Sequence, residues 1–191
     1  MSASAAAGNC PRCLFRECVC AAVPNVPTRT RILIVRHAGE RMRSSNSGRL
    51  AHLALPNSEI VEYGALGVPQ EALSFGDLQG AMLLYPLGEP ALSAPQPPPR
   101  TLVILDATWS QARRMFRKLA VLRGLPTLRL PDEPMPAARL RESPGPGRVS
   151  TIEAIARALR LLEGDGAALP LESLFSAAVA SALRSGRNMP S

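Results

Sequence analysis

Asp106 follows four consecutive apolar residues, Leu102 to Leu105, in the stretch T-L-V-I-L-D-A-T-W (Thr101–Trp109). A short run this rich in Val and Ile reads as a buried strand of a parallel sheet. Thr108 stands three residues before Gln111, the spacing of a capping box, so a helix begins at once. The carboxylate is thereby placed at the carboxyl end of a central strand and beside a helix amino terminus. Open α/β sheets carry their ligand crevices there. A carboxylate in that position can take a proton from a weak acid; it can equally cap the helix or close the turn. A second segment, Ser143–Ala154, reads S-P-G-P-G-R-V-S-T-I-E-A, a Pro/Gly loop running into another helix start. Ser150 and Glu153 form its capping box, and backbone N–H groups at such a terminus can hold a carboxylate or phosphate.

The four cysteines, Cys10, Cys13, Cys18 and Cys20, crowd together with the spacing C-x2-C-x4-C-x-C. In a reducing compartment this clustering points to a metal, and four thiolates suit tetrahedral structural zinc. Arg12 and Arg16 offset the negative charge of such a site. A redox pair, an unmetallated tail and an iron–sulfur cluster are the alternatives.

The chain has 191 residues and 46% apolar content, enough for one core of ordinary size. Its 22 Lys+Arg against 15 Asp+Glu give a net charge of +7, and Lys118 is the one lysine. A basic, arginine-rich surface suits RNA, although GC-rich coding produces the same Arg-for-Lys bias. Met1–Gly8 lacks the charged-then-apolar pattern of an export signal, and no apolar run approaches the roughly 18 residues of a membrane span. A monomer in the cytoplasm, with no membrane partner, is expected.

The elements that must position these residues alternate between strand and helix. Strands are expected at Arg31–Arg36, Glu59–Tyr63, Ala81–Tyr85, Leu102–Leu105 and Thr127–Leu130. Helices are expected at Asn46–Leu55, Thr108–Leu122, Ser150–Glu163 and Leu171–Arg184, with a stiff proline loop at Ser93–Arg100. This is an α/β fold with a mostly parallel sheet flanked by helices. No G-x-G-x-x-G follows a strand, so a Rossmann cofactor site is unsupported. Residues 1–27 read as a cysteine knuckle and tail, and 28–191 as the main domain. Three strand ends, at His37 with Glu40, at Tyr85-Pro86 and at Asp106, share one rim if they align. Arg113, Arg114, Arg117 and Lys118 line the helix leading away from Asp106, either as a solvated face or as a guide for a phosphate backbone.

The motif Asp106-x-Thr108-Trp109 resembles the signature of the DTW-domain proteins, the tRNA-uridine aminocarboxypropyltransferases. The likeness extends to the cysteine cluster and to H-x2-E-x2-R-x2-N, formed by His37, Glu40, Arg43 and Asn46 and followed by Gly48-Arg49-Leu50. It continues through Leu84-Tyr85-Pro86 to Ser150-Thr151-Ile152-Glu153-Ala154. Ser47 departs from the pattern, which has Thr there, but keeps a hydroxyl.

The resemblance implies a fold related to the SPOUT methyltransferases, with a C-terminal trefoil knot. It implies S-adenosylmethionine as donor and a tRNA uridine as acceptor. The transferred group is then 3-amino-3-carboxypropyl, delivered to ring nitrogen N3 of a uridine expected, by analogy, in the variable loop, with methylthioadenosine released. Asp106 becomes the candidate catalytic base or the residue orienting the uracil. The donor pocket is expected from Leu84, Tyr85, Pro86, Leu87, Gly88, Leu105, Thr108, Trp109, Arg148, Ser150, Thr151 and Glu153. Trp109 either packs on adenine or anchors its helix in the core. His37, Arg43, Asn46, Arg49, Arg113, Arg114, Arg117 and Lys118 are the candidate RNA contacts. Rival readings are a SPOUT-type RNA methyltransferase, a non-catalytic zinc-containing RNA-binding module, and the same chemistry on ribosomal RNA.

Overall fold

The computed structural model describes residues 8–132, 140 and 149–186. Five strands, β1 (Arg31–His37), β2 (Ser58–Tyr63), β3 (Ala81–Leu84), β4 (Thr101–Asp106) and β5 (Thr127–Leu128), form one sheet in the order β2-β1-β4-β3-β5. Every pairing is parallel. β4 enters late and inserts between β1 and β3, so the strand that ends in Asp106 is the central one. A parallel sheet is covered on both faces, and successive side chains must serve both. Ile32 and Ile34 of β1 join one core and Leu33 and Val35 the other, all four fully buried.

Helices α1 (Ser47–Ala54), α4 (Thr151–Glu163) and α5 (Asp165–Arg184) cover the first face; α2 (Trp109–Lys118) and α3 (Ala120–Arg123) cover the second. In α4 the apolar positions Ile152, Ile155, Ala156, Leu159 and Leu162 make one buried stripe. On the opposite face Met115, Leu119 and Leu122 meet Leu33, Val35 and Val103. The expected single helix over Thr108–Leu122 is broken at Leu119, where the backbone is extended with ψ 99°. The break turns both Leu119 and Leu122 into the core. The last helix starts at Asp165 rather than at Leu171, with Pro170 inside it. The proline falls in the second turn of the helix, where it removes the backbone hydrogen bond to the Gly166 carbonyl.

The cysteine knuckle is packed onto the main body. Cys13, Phe15, Val19 and Val26 are buried in the same core as α4 and α5. Ser181 Oγ donates to the Glu17 carbonyl at 2.6 Å, and Arg184 pairs with the Glu17 carboxylate at 2.6 Å. By length and composition alone α5 passes for a membrane-spanning helix. Its buried residues, among them Leu171, Leu174, Phe175 and Ala178, instead pack in the core shared with α4 and α1.

Candidate functional site

The strand register sets the site. Arg36 stands opposite Asp106, Leu84 opposite Ile104, and Leu84 again opposite Leu128. The carboxyl ends of β1, β4, β3 and β5 therefore lie along one edge, and His37, the last residue of β1, shares a rim with Ala107, Tyr85 and Arg129, the residues just past the other three.

Asp106 is the buried centre of this rim, at 3% exposure. Asn46 Nδ2 donates to its Oδ2 at 2.6 Å, and Thr151 Oγ1 donates to its Oδ1 at 2.8 Å. The carboxylate is thus held between the first turns of α1 and α4. Gly48 completes the enclosure. A Cβ on Gly48 would stand 2.5 Å from the Asp106 carboxyl carbon, so only glycine lets α1 come this close. Burial pushes the Asp106 carboxyl above its ordinary value; the bonds from Asn46 and Thr151 and the charge of Arg36 oppose the rise, and Glu40 adds to it. Asn46 is 2% exposed and bonded through both ends of its amide, since its Oδ1 also caps α1 by accepting from Arg49 N at 2.8 Å. Ser47, the departure from the family pattern, has its hydroxyl within 3.4 Å of Ile152 N and so links the two helix starts.

Beside this cage lies a cavity of about 320 Å³. Its walls come from the ends of β3, β4 and β5 and the first turns of α2 and α4. Leu84, Tyr85, Pro86, Leu105, Trp109 and Thr151 of the expected pocket line it. The D-A-T-W corner and the S-T-I-E-A corner therefore share one cavity. Trp109 is half-buried on this wall. Other expected pocket residues are engaged elsewhere. Thr108 and Ser150 cap α2 and α4, and Glu153 accepts from Ser150 N at 2.8 Å. Leu87 and Gly88 contribute carbonyls, accepting from Thr127 Oγ1 at 3.0 Å and from Arg129 Nη1 at 3.1 Å. Arg148 and the loop from Ser143 lie outside the described residues.

Sequence reasoning missed the polar wall: Arg129, Asp132 and Arg157. Thr151, Ala154 and Arg157 follow at i, i+3, i+6, a stripe on one helix face, so the signal was in the spacing. Arg129 follows β5 as Ala107 follows β4, and the strand-end rule that singled out Asp106 points to it equally. Arg129 also pairs with Asp132 at 3.2 Å.

The candidate RNA contacts divide. Arg113, Arg114, Arg117 and Lys118 are exposed on or near the α2 surface. Tyr85, on the cavity wall, stacks on Phe116 at 4.6 Å between ring centroids. Burial raises its phenol pKa, and the positive charges of Arg113 and Arg117 oppose that. Arg43 is exposed and pairs with Glu40 at 3.5 Å. His37 accepts from Gly39 N at 3.1 Å and starts a short turn, while Arg49 is spent on the carbonyls of Arg12 and Arg41.

The four thiols are free of disulfides, and their sulfurs all lie within 4.8 Å of one another. Three of the edges are 3.4 Å for Cys10–Cys18, 3.8 Å for Cys10–Cys20 and 3.9 Å for Cys13–Cys18. A tetrahedron with Zn–S arms of about 2.3 Å has edges of about 3.8 Å, so the donor set fits that ion. Backbone N–H groups of Cys13 and Arg12 pull the Cys10 thiol down to about 6, whereas burial pushes Cys20 up to about 12. Leu14, at φ 64°, takes the left-handed turn that folds the first pair back.

A family model described as the DTW domain matches residues 7–183. The chain is 31% identical over 160 residues to tRNA-uridine aminocarboxypropyltransferase 2 of Drosophila melanogaster, covering 76% of this chain and 62% of that protein. It is 28% identical over 168 residues to the proteins of the same name from Macaca fascicularis and Mus musculus, covering 81% of this chain and 56% of each. The chain thus spans about three-fifths of the length of these curated relatives. No solved structure matches. With a match that runs from the cysteine knuckle to the end of α5, the chain belongs to the DTW-domain family.

Proposed function

We propose that this protein transfers the 3-amino-3-carboxypropyl group from S-adenosylmethionine to N3 of a tRNA uridine, in the variable loop, and releases methylthioadenosine. The observation that carries the reading is the single cavity walled by both signature corners, in a chain whose relatives are named for this transfer. Its volume, about 320 Å³, is in the range of small-molecule sites. The apolar wall of Leu84, Tyr85, Pro86 and Trp109 suits an adenosine. The polar wall offers Arg129 and Arg157 to a carboxylate and Asp132 to an ammonium, the two charges of the methionine arm.

That assignment moves the carboxylate away from the α4 terminus. The N–H groups of Ile152, Glu153 and Ala154 already meet Ser47 Oγ, Ser150 Oγ and the Ser150 carbonyl. Attack of N3 on the γ-carbon opposite sulfur forms the N–C bond and breaks the C–S bond, whose electrons neutralise the sulfonium. The N3 proton must leave, and Asp106, raised by burial, is the acceptor. The exposed arginines of α2 hold the RNA backbone, and one zinc ion on Cys10, Cys13, Cys18 and Cys20 pins the knuckle. The SPOUT relation and its knot, a monomeric state and a cytoplasmic setting complete the reading.

Incubation with labelled S-adenosylmethionine and unmodified tRNA, followed by nucleoside mass analysis, tests it. A uridine heavier by one aminocarboxypropyl group is expected. A methylated nucleoside would establish the methyltransferase instead, and an absence of both, with no donor binding, would leave an RNA-binding module.

A further inference from the structure

We infer that the hydroxyl of Thr151 carries the proton between the cavity and Asp106. This rests on the proposed transfer to uridine N3. Asp106 is at 3% exposure and is not among the residues that line the cavity, whereas Thr151 is. Thr151 thus stands between the cavity, which it lines, and the carboxylate, to whose Oδ1 its hydroxyl donates at 2.8 Å. The second carboxylate oxygen is held by Asn46, and Gly48 closes the space on the α1 side. A substrate proton therefore reaches Asp106 by way of this hydroxyl.

The step balances. The N3 proton passes to Thr151 Oγ1 as the hydroxyl's own proton moves to Asp106 Oδ1, leaving Thr151 unchanged and Asp106 neutral. The electron pair freed at N3 forms the bond to the γ-carbon, and the γ-carbon–sulfur pair stays on sulfur. After product leaves, the proton returns to water along the same path. The charged groups facing Asp106 are Arg36 from β1 and Glu40 from the short turn after it, with Arg49 of α1 near enough to sense the carboxylate's charge. Asn46 keeps the carboxylate oriented and is a positioning residue.

The test compares full-length wild type, Thr151→Val and Thr151→Ser on two tRNA transcripts, one with uridine and one with 5-fluorouridine, whose ring nitrogen is more acidic. Val is close to Thr in shape and lacks the hydroxyl. On uridine RNA, kcat of Thr151→Val falls at least about a hundredfold, the scale of lost acid–base assistance, while KM for S-adenosylmethionine moves less than about fivefold. Thr151→Ser recovers most of that loss. On 5-fluorouridine RNA the Val variant regains at least about tenfold, because a more acidic N3 needs less help. Equal losses on both transcripts, or a Val variant as fast as wild type, would overturn the relay. A wild type that makes no aminocarboxypropyl product on either RNA overturns the proposed function itself, and the relay with it. Should the Val variant melt early, Thr151→Ala, which suits a first helical turn, takes its place with the same expected outcomes.

Discussion

At the scale of single residues the molecule is organised around one carboxylate. Asp106 is the acid that the apolar run pointed to, and the structure shows why a run ending in Asp is tolerated: two helix starts and two neutral donors surround the charge. Asp106→Asn keeps the shape and allows both bonds to re-form, the amide oxygen accepting from Asn46 and the amide nitrogen donating to Thr151. It should therefore fold, and lose at least about a hundredfold in product formation by nucleoside mass analysis. The same variant has a stability signature. The Asp106 carboxyl is raised in the folded state, so folding binds protons and the wild type loses stability as pH rises upward from the ordinary value of 3.8. Asp106→Asn removes that descent, and its melting temperature should fall less between acid and neutral pH. Gly48→Ala tests the enclosure from the other side. Its Cβ would overlap the Asp106 carboxyl carbon at 2.5 Å, an overpacking that costs about 1–3 kcal/mol in a urea titration.

At the scale of elements, strand ends and caps were legible because short-range physics writes them. Both capping boxes, Thr108 with Gln111 and Ser150 with Glu153, form as their spacing requires. The break at Leu119 was not legible. Its cause is the demand of the far face of the sheet for two leucines, and that demand is tertiary. The start of α5 was not legible either: the expected first residue, Leu171, lies one turn and more inside a helix that begins at Asp165, and the packing of α5 in the core it shares with α4 carries Pro170 within it. The polar wall of the cavity was half legible, since Arg157 follows Thr151 by two steps of three, but Asp132 sits in a loop with no periodic signal. The α1–β2 corner yields its own prediction. His52, half-buried and 2.8 Å from Ser58 Oγ, has its pKa lowered by burial and by the charges of Arg36 and Arg49. Its folded-state value lies below 6.5, so stability rises with pH through the window beneath that value and is lost as pH falls through it. His52→Asn should flatten that rise in melting curves collected between about pH 5 and 7.

At the scale of the whole molecule, the knuckle, one face of the sheet and the layer of α1, α4 and α5 form one core. Cys13, Phe15 and Val19 share it with Ile155, Leu159 and Leu171, so a metal on the four thiols stabilises more than its own loop. Removing zinc with a strong chelator should lower the melting temperature of the entire chain in one transition, and re-addition of one equivalent should restore it. The central claim, that the D-A-T-W and S-T-I-E-A corners wall the donor site, has a more direct test. Ala154 lines the cavity without touching Asp106 in any hydrogen bond, and Ala154→Phe fills the space from the α4 side. Titration calorimetry with S-adenosylmethionine should show wild type binding and the variant weakened at least about thirtyfold, about 2 kcal/mol, with its melting temperature little changed. Equal affinity in the two proteins would place the donor outside this cavity and contradict the account.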